Sequence, residues 1–316
     1  MKIIVTGGAG FVGSHVVPKL QSEHEVLIID SLHSYYDPRW KQRRLEKLLT
    51  HPQVDWDKMD VCNQKGLRDV FQSFRPDIVI HLAAIPGVQA SLLDPAAYVD
   101  VDVKGTVNLL ALSHEYQVSR FVFASSSSVY GTQGTRPCEE SEGLEPISPY
   151  AASKAAAEMY CQTYQRLYGL PVTIVRPFTV YGPEQRPDMA LWTFAKQIWE
   201  GKPITLYGDD IGRDYTYVED TARGIVKAAL MEKAVNRIYN LGSGRVVLIR
   251  DLISLLERGL GKKAIIVKKE LPPGDVPMTW ADPIRSKTEL GFEAHVSIEE
   301  GIHRFTEWFL NEGVYR

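Results

Sequence analysis

The sequence predicts an α/β fold: a doubly wound parallel sheet over residues 1–176, followed by a smaller C-terminal α/β unit over residues 177–316. Three observations carry this reading. Short β-branched runs alternate with longer helical patterns through the first half, the sequence form of right-handed βαβ units. A glycine-rich turn joins the first run to the first helical pattern. After Arg176 the chain becomes rich in Pro, Gly, Asp and aromatic residues, with shorter helical patterns and no long linker. The second part therefore packs directly on the first and makes a cleft with it, the return of some elements to the first being left open.

In chain order, the strands are expected at Ile3–Thr6, Val26–Asp30, Val54–Met59, Ile78–Leu82, Phe121–Ala124 and Val172–Val175. Helices are expected between them near Val12–Gln21, Trp40–Leu49, Gly66–Phe74, Ala96–Tyr116 and Pro149–Tyr168, then near Met189–Glu200, Val218–Met231, Ile249–Leu260 and Ile298–Leu310. A chain of 316 residues, 44% hydrophobic and 24% charged, buries a sizeable core. Its net charge of −3 is spread along the chain, which argues against a basic surface for nucleic acid or membrane. One basic cluster, Lys41, Arg43, Arg44 and Lys47, is interleaved with Leu45, Leu48 and Leu49 and reads as the wet face of an amphipathic helix.

The three cysteines, Cys62, Cys138 and Cys161, are odd in number and lack metal-ligand spacing, so a disulfide framework is not expected and a reducing cytoplasm fits. The opening MKIIVTGGAG starts a strand without the apolar core of a signal peptide, and no apolar run approaches the roughly 18 residues of a membrane span. Neither export by that route nor membrane insertion is expected. His81 ends an apolar run and reads as a packed or turn-capping residue, and no metal site is expected.

Gly7, Gly10 and Gly13 have the spacing G-x-x-G-x-x-G after a strand and at the start of a helical pattern. Without Cβ atoms, the first allows a tight turn, the second lets a pyrophosphate approach the backbone, and the third allows close packing. The free N–H groups of the following helix favour the phosphates. The second strand ends in Asp30, whose carboxylate can accept from ribose hydroxyls and would repel a 2′-phosphate. A Rossmann-type site for NAD, rather than NADP, follows. Asp60 and Val61, after the third strand, are placed to meet the adenine.

Tyr150 and Lys154 are four apart on a helical pattern and share one face. A lysine ammonium beside a tyrosine hydroxyl favours the phenolate, the form that takes up a proton as a general base. The fifth strand runs into Ser125, Ser126, Ser127 and Ser128, hydroxyls at the end of a parallel strand where such sheets bind ligands.

With these elements in hand, the glycine turn, His81–Ala84 (HLAA), the serine run ending in Val129-Tyr130-Gly131, Tyr150-x-x-x-Lys154 and RPFTVYGP from Arg176 to Pro183 together resemble the extended short-chain dehydrogenase/reductases. The resemblance covers nearly the whole chain. It implies a catalytic triad of Ser126, Tyr150 and Lys154, with Tyr150 and Lys154 also touching NAD. It further implies cofactor contacts from Phe11, Val12, Leu82, Ala83, Ala84 and Thr179. Substrate contacts are implied for Ser127, Ser128 and Thr179, and Arg213 would meet a pyrophosphate. A homodimer through two helices of the first domain is also implied.

Within that family, Ser34–Arg39 and Tyr181–Ala190 (YGPEQRPDMA) look like the branch of UDP-glucuronate 4-epimerases. Arg186 is the informative residue, because a planar guanidinium fork matches the carboxylate of a uronic acid. Uronate decarboxylases and 4,6-dehydratases of the family carry a glutamate just before the VYG segment, where this chain has Ser128. The expectation is NAD-dependent epimerisation at carbon 4 of a UDP-sugar. A UDP-glucose or UDP-N-acetylglucosamine 4-epimerase, a UDP-glucuronate decarboxylase and an idle NAD-binding regulator remain as alternatives.

Overall fold

The apolar runs of the first half pair into a single parallel sheet. The computed structural model describes residues 1–132, 136–207, 211–269 and 278–313. In chain order the strands are β1 (Lys2–Thr6), β2 (Glu25–Asp30), β3 (Val54–Lys58), β4 (Ile78–His81), β5 (Arg120–Ala124) and β6 (Val172–Pro177). They continue with β7 (Thr179–Tyr181), β8 (Pro203–Tyr207), β9 (Gly212–Tyr217), β10 (Ile238–Leu241), β11 (Val246–Leu248), β12 (Ile265–Lys269) and β13 (Met278–Thr279). Seven of them lie side by side in the order β10-β6-β5-β4-β1-β2-β3, every pair parallel. The chain reverses its direction of travel across the sheet between β1 and β4, which opens a crevice at the strands' C-terminal ends.

Side-chain alternation feeds two cores. Ile3, Val5, Val26 and Ile28 face one side, where helix Val218–Leu230 covers them with Ala222, Ile225 and Ala229. Ile4, Leu27 and Ile29 face the other, under Leu67 and Phe71 of helix Gln64–Phe74 and Leu109 and Leu112 of helix Gly105–Glu115. A third core holds Trp192, Leu252, Leu256, Phe305 and Phe309 from the second half, with Trp40 from the first. β10 pairs with β6 in the register Ile238↔Ile174, so a strand from beyond residue 176 completes the sheet.

Three local expectations are corrected. The helix expected over Val12–Gln21 is a short α-helix, Gly13–Val16, followed by a 3-10 turn, Val17–Lys19, because Pro18 has no N–H to continue the ladder. The helix expected over Ala96–Tyr116 is Pro95–Tyr98, a π-helical turn over Val99–Lys104, then Gly105–Glu115. The basic cluster is not a wet face: Arg43 and Lys47 are exposed, but Lys41 and Arg44 are buried. Lys41 Nζ donates to the His33 carbonyl at 3.0 Å. Arg44 Nη1 donates to the Tyr36 hydroxyl at 2.8 Å and to the Ala9 carbonyl at 3.4 Å, and its Nη2 to the Glu184 carbonyl. Buried cations persist here because carbonyls, a hydroxyl and, for Arg44, the Glu184 carboxylate at 3.5 Å from Nε partner them. Arg44 thereby ties the glycine turn to the loop carrying Glu184. Cys62, Cys138 and Cys161 are free thiols. Among the described residues no helix is long and apolar enough to cross a membrane, and no cluster of ligating side chains could hold a metal ion.

Candidate active site

The crevice at the sheet's switch point is a cleft lined by the glycine turn at one end and by Tyr150, Thr179 and Arg186 at the other. Gly7 has φ +71°, and a Cβ there would stand 2.7 Å from the Ala83 nitrogen. A Cβ on Gly13 would meet the Gly7 carbonyl oxygen at 2.3 Å. Both positions are closed to any side chain. Gly10 differs: its Cβ would touch only Gly7, the carbonyl oxygen lying at 3.0 Å, so its bare backbone opens on the cleft. Phe11 and Val12 line the same wall, and their N–H groups have no protein acceptor among the described residues. That cradle fits a pyrophosphate.

Asp30 is buried at the end of β2. Its Oδ1 accepts from Leu32 N at 2.8 Å and its Oδ2 from Ala9 N at 3.2 Å, so the carboxylate is fixed to the glycine turn. Each oxygen keeps a lone pair for a further donor. Asp60, Val61, Leu82, Ala83, Ala84 and Thr179 line the cleft as well, and Ser125 adds a buried hydroxyl with no hydrogen-bond partner among the described residues. Together these features fit a bound dinucleotide. Lys41, read from sequence as an exposed cation, lines the cleft beside Asp30. Burial lowers its pKa, with Asp30 opposing that shift.

Helix Pro149–Tyr168 starts with Pro149 in its first turn and Ser148 as cap, the Ser148 Oγ accepting from Ala151 N at 3.1 Å. This places Tyr150 at the cleft and Lys154 one turn deeper. Lys154 is buried; its Nζ donates to the Ala124 carbonyl at 3.1 Å, leaving two N–H donors, and lies 5.1 Å from the Phe123 ring centre. Ser126 Oγ accepts from Ser128 N at 3.2 Å and from Ser128 Oγ at 3.0 Å. With both lone pairs used, its own O–H is what remains to give. Ser127 and Ser128 begin the 3-10 turn Ser127–Tyr130 and are not among the residues lining the cleft; Ser128 meets it only by its hydrogen bonds to the cleft-lining Ser126 among the described residues.

Two buried groups beneath the site lay outside the sequence-level candidates. Asp102, turned inward from the π-helical segment, accepts from Ser153 Oγ at 3.0 Å and from Ile85 N at 3.0 Å, joining the Tyr150 helix to the loop after β4. Burial raises its pKa, and the nearby Lys154 charge opposes that. His81 sits between the hydroxyls of Thr6 (Nδ1, 2.7 Å) and Thr106 (Nε2, 3.0 Å). Thr6 accepts from Ala83 N at 3.2 Å and Thr106 donates to the Asp102 carbonyl at 2.5 Å, which makes Nδ1 the acceptor and Nε2 the donor. Burial, helped by the Lys154 charge, pushes this imidazole down to about 3, so it is neutral. His81 is the packed residue the sequence suggested.

At the far end, Arg186 Nε and Nη2 donate to the two Asp188 oxygens at 2.9 and 3.0 Å, beside the Tyr35 ring. Arg213 is not brought to the cleft lining; it stands on β9, half-buried, its Nη1 donating to the Gly212 carbonyl at 2.9 Å.

The chain matches the family model described as the NAD dependent epimerase/dehydratase family over residues 3–242. It is 42% identical over 308 residues to a UDP-glucuronate 4-epimerase of Thermodesulfobacterium geofontis, covering 96% of this chain and 95% of that one. The UDP-glucuronic acid 4-epimerase from Bacillus cereus, solved in complex with UDP-glucuronic acid and NAD, superposes with a TM-score of 0.94 at 35% identity, covering 98% of this chain and 99% of that one. The UDP-glucose 4-epimerase from Thermus thermophilus, solved with NAD, gives 0.90 at 32% identity, covering 99% and 100%. The fold is thus shared across substrate types, and the choice of sugar rests on local residues.

Proposed function

The chain belongs to the NAD dependent epimerase/dehydratase family, and from that premise we propose that it interconverts UDP-glucuronate and UDP-galacturonate by epimerisation at carbon 4. The single observation that carries the reading is that Ser126, Tyr150 and Lys154 share one cleft with the glycine turn and with an arginine able to pair with a carboxylate. NAD, the cofactor of this family, would be held by the glycine turn and Asp30 and would supply the acceptor for a hydride from carbon 4 and the donor for its return to the other face. The protein's residues do the rest. Tyr150 takes the 4-hydroxyl proton and later gives it back, Lys154 stabilises the phenolate, and the free Ser126 O–H holds the oxygen on carbon 4.

Arg186 receives the uronate carboxylate. Its grip also bears on chemistry to be avoided, since a 4-keto uronate is a β-keto acid that loses carbon dioxide when the carboxylate bond stands perpendicular to the ketone. Ser128, in place of a glutamate, leaves elimination and decarboxylation without an acid or base. In this reading residues 1–176 mainly bind NAD and residues 177–316 mainly bind the UDP-sugar, and the protein works in the cytoplasm as a homodimer. Exposed Met159, Tyr160 and Leu167 on the Tyr150 helix, with exposed Leu93 in the turn before Pro95–Tyr98 and exposed Val99 at the start of the π-helical turn, support that pairing.

The test is to incubate purified protein with UDP-glucuronate, UDP-glucose and UDP-N-acetylglucosamine without added NAD and to identify products by NMR. UDP-galacturonate is the expected product. A UDP-pentose, or conversion of the neutral sugars alone, overturns the assignment. Tyr150→Phe should retain NAD yet turn over about 10²-fold more slowly or worse.

A further inference from the structure

Arg186 is held rather than free. A guanidinium offers two forked edges, Nε with Nη2 and Nη1 with Nη2. Asp188 occupies the first edge with both oxygens, at 2.9 and 3.0 Å. Nη1 makes no hydrogen bond among the described residues, so the second edge is open where Arg186 lines the cleft. Asp188 is held in turn: the Tyr35 hydroxyl donates to its Oδ2 at 3.2 Å, and the Tyr35 ring lies 6.0 Å from the Arg186 guanidinium carbon. Tyr35 reaches this point because residue 87 is glycine, at φ +101°; a Cβ there would stand 2.3 Å from the Tyr35 hydroxyl oxygen. Burial, reinforced by the Asp188 charge, pushes the Tyr35 pKa up to about 12, so this hydroxyl stays a donor. Three loops remote in sequence therefore converge on one guanidinium.

We propose that Asp188 and Tyr35 are specificity-determining positioning residues, which together aim the open Nη1–Nη2 edge of Arg186 at the carboxylate borne by carbon 5 of the bound sugar. This rests on the reading that Arg186 receives that carboxylate. A long arginine side chain loses much rotamer freedom when it grips a ligand, and a side chain already pinned on its other edge has lost it beforehand. Asp188 is not a competitor for the substrate, because the two carboxylates use different edges. The pair also leaves little net positive charge at the cleft mouth, so recognition depends on the placed fork more than on long-range attraction.

The test measures binding of UDP-glucuronate and of UDP-glucose to the NAD-loaded protein by calorimetry, in a Tyr150→Phe background so that neither ligand is converted. Asp188→Asn should weaken UDP-glucuronate about tenfold and Tyr35→Phe about two- to tenfold, the scale of losing one or two hydrogen bonds. UDP-glucose affinity should stay within about twofold for both, a separation that mere loosening of the loop would not produce. Asp188→Asn added to Arg186→Ala should cost nothing further, since the two act through one group. Tighter UDP-glucuronate binding by Asp188→Asn would show a competing carboxylate and overturn the proposal, as would equal losses on both ligands. Arg186→Ala is the separate control. If it fails to discriminate the two sugars, the carboxylate reading itself falls; if it discriminates while Asp188→Asn changes nothing, only the positioning role falls.

Discussion

Arg176 and Arg186 are built alike and finished differently. Arg176 gives Nε and Nη2 to Glu158 at 2.9 and 2.6 Å and lies 4.8 Å from the Tyr130 ring centre, as Arg186 gives the same edge to Asp188 beside Tyr35. In the first pair, however, Nη1 is also used, by the Tyr130 hydroxyl at 2.8 Å and the Glu140 carbonyl at 3.5 Å, and the two side chains are 2% and 0% exposed. In the second, Nη1 is open and the side chains are 21% and 30% exposed. A closed arginine joins strands and helices; an open one has a hand left for a ligand. Residue type and spacing do not distinguish them. The count of donors left over does.

The largest effect should come from the closed pair. Arg176→Ala leaves Glu158 as an unpaired buried charge, and stability measured by denaturant should fall by about 3–5 kcal/mol. Arg186→Ala, in a pair with access to water, should change stability by no more than about 1 kcal/mol. Equal stability losses would break the distinction between the two.

Much of this site was legible in the sequence. The glycine spacing, the strand ends and Tyr150-x-x-x-Lys154 are local patterns, and local patterns survive folding; the first six strands lie within a residue or two of where period and composition put them. What escaped depends on contacts between distant segments. β10 is four residues long and its only sheet partner among the described residues is β6, so nothing in Ile238–Leu241 itself says which sheet it joins. Lys41 and Arg44 looked like solvent-facing charges because the groups that satisfy them, His33, Tyr36, Ala9 and Glu184, are assembled only in three dimensions. Asp102 was hidden by the π-helical turn, which breaks the 3.6-residue period that a helical pattern assumes.

Carboxylates extend the comparison. Asp30 is half closed: two backbone N–H groups fix it, and its remaining lone pairs face the cleft. Protein unfolded after purification should therefore release NAD(H), which mass spectrometry will show; mainly NADP(H) would mean that Asp30 does not set cofactor choice.

The smallest effect should come from Glu219, a half-exposed carboxylate that bonds His15 at 2.5 Å and also pairs with Lys19, both on the segment after the glycine turn. The His15 bond, then Lys19, hold its pKa at about 2 rather than 4.5. A carboxylate depressed on folding contributes stability above its unfolded value and loses that contribution as pH falls towards the folded one. Glu219→Gln should accordingly be less stable than the parent at pH 6, with the gap closing between about pH 4.5 and pH 2. A gap independent of pH would place its role in packing alone.

The central claim is that the open edge of Arg186 reads a substrate carboxylate, and the most direct test is the ratio of kcat/KM for UDP-glucuronate to that for UDP-glucose, before and after Arg186→Ala. Loss of a charged hydrogen-bonding partner worth about 1.5–3 kcal/mol predicts a fall of roughly 10- to 150-fold on UDP-glucuronate, with UDP-glucose unchanged or improved, so the ratio collapses. Arg186→Lys should restore part of it, since a point charge does not reproduce the fork. A ratio that stays constant while both activities fall would contradict the claim and leave Arg186 as a support of its loop, another closed arginine.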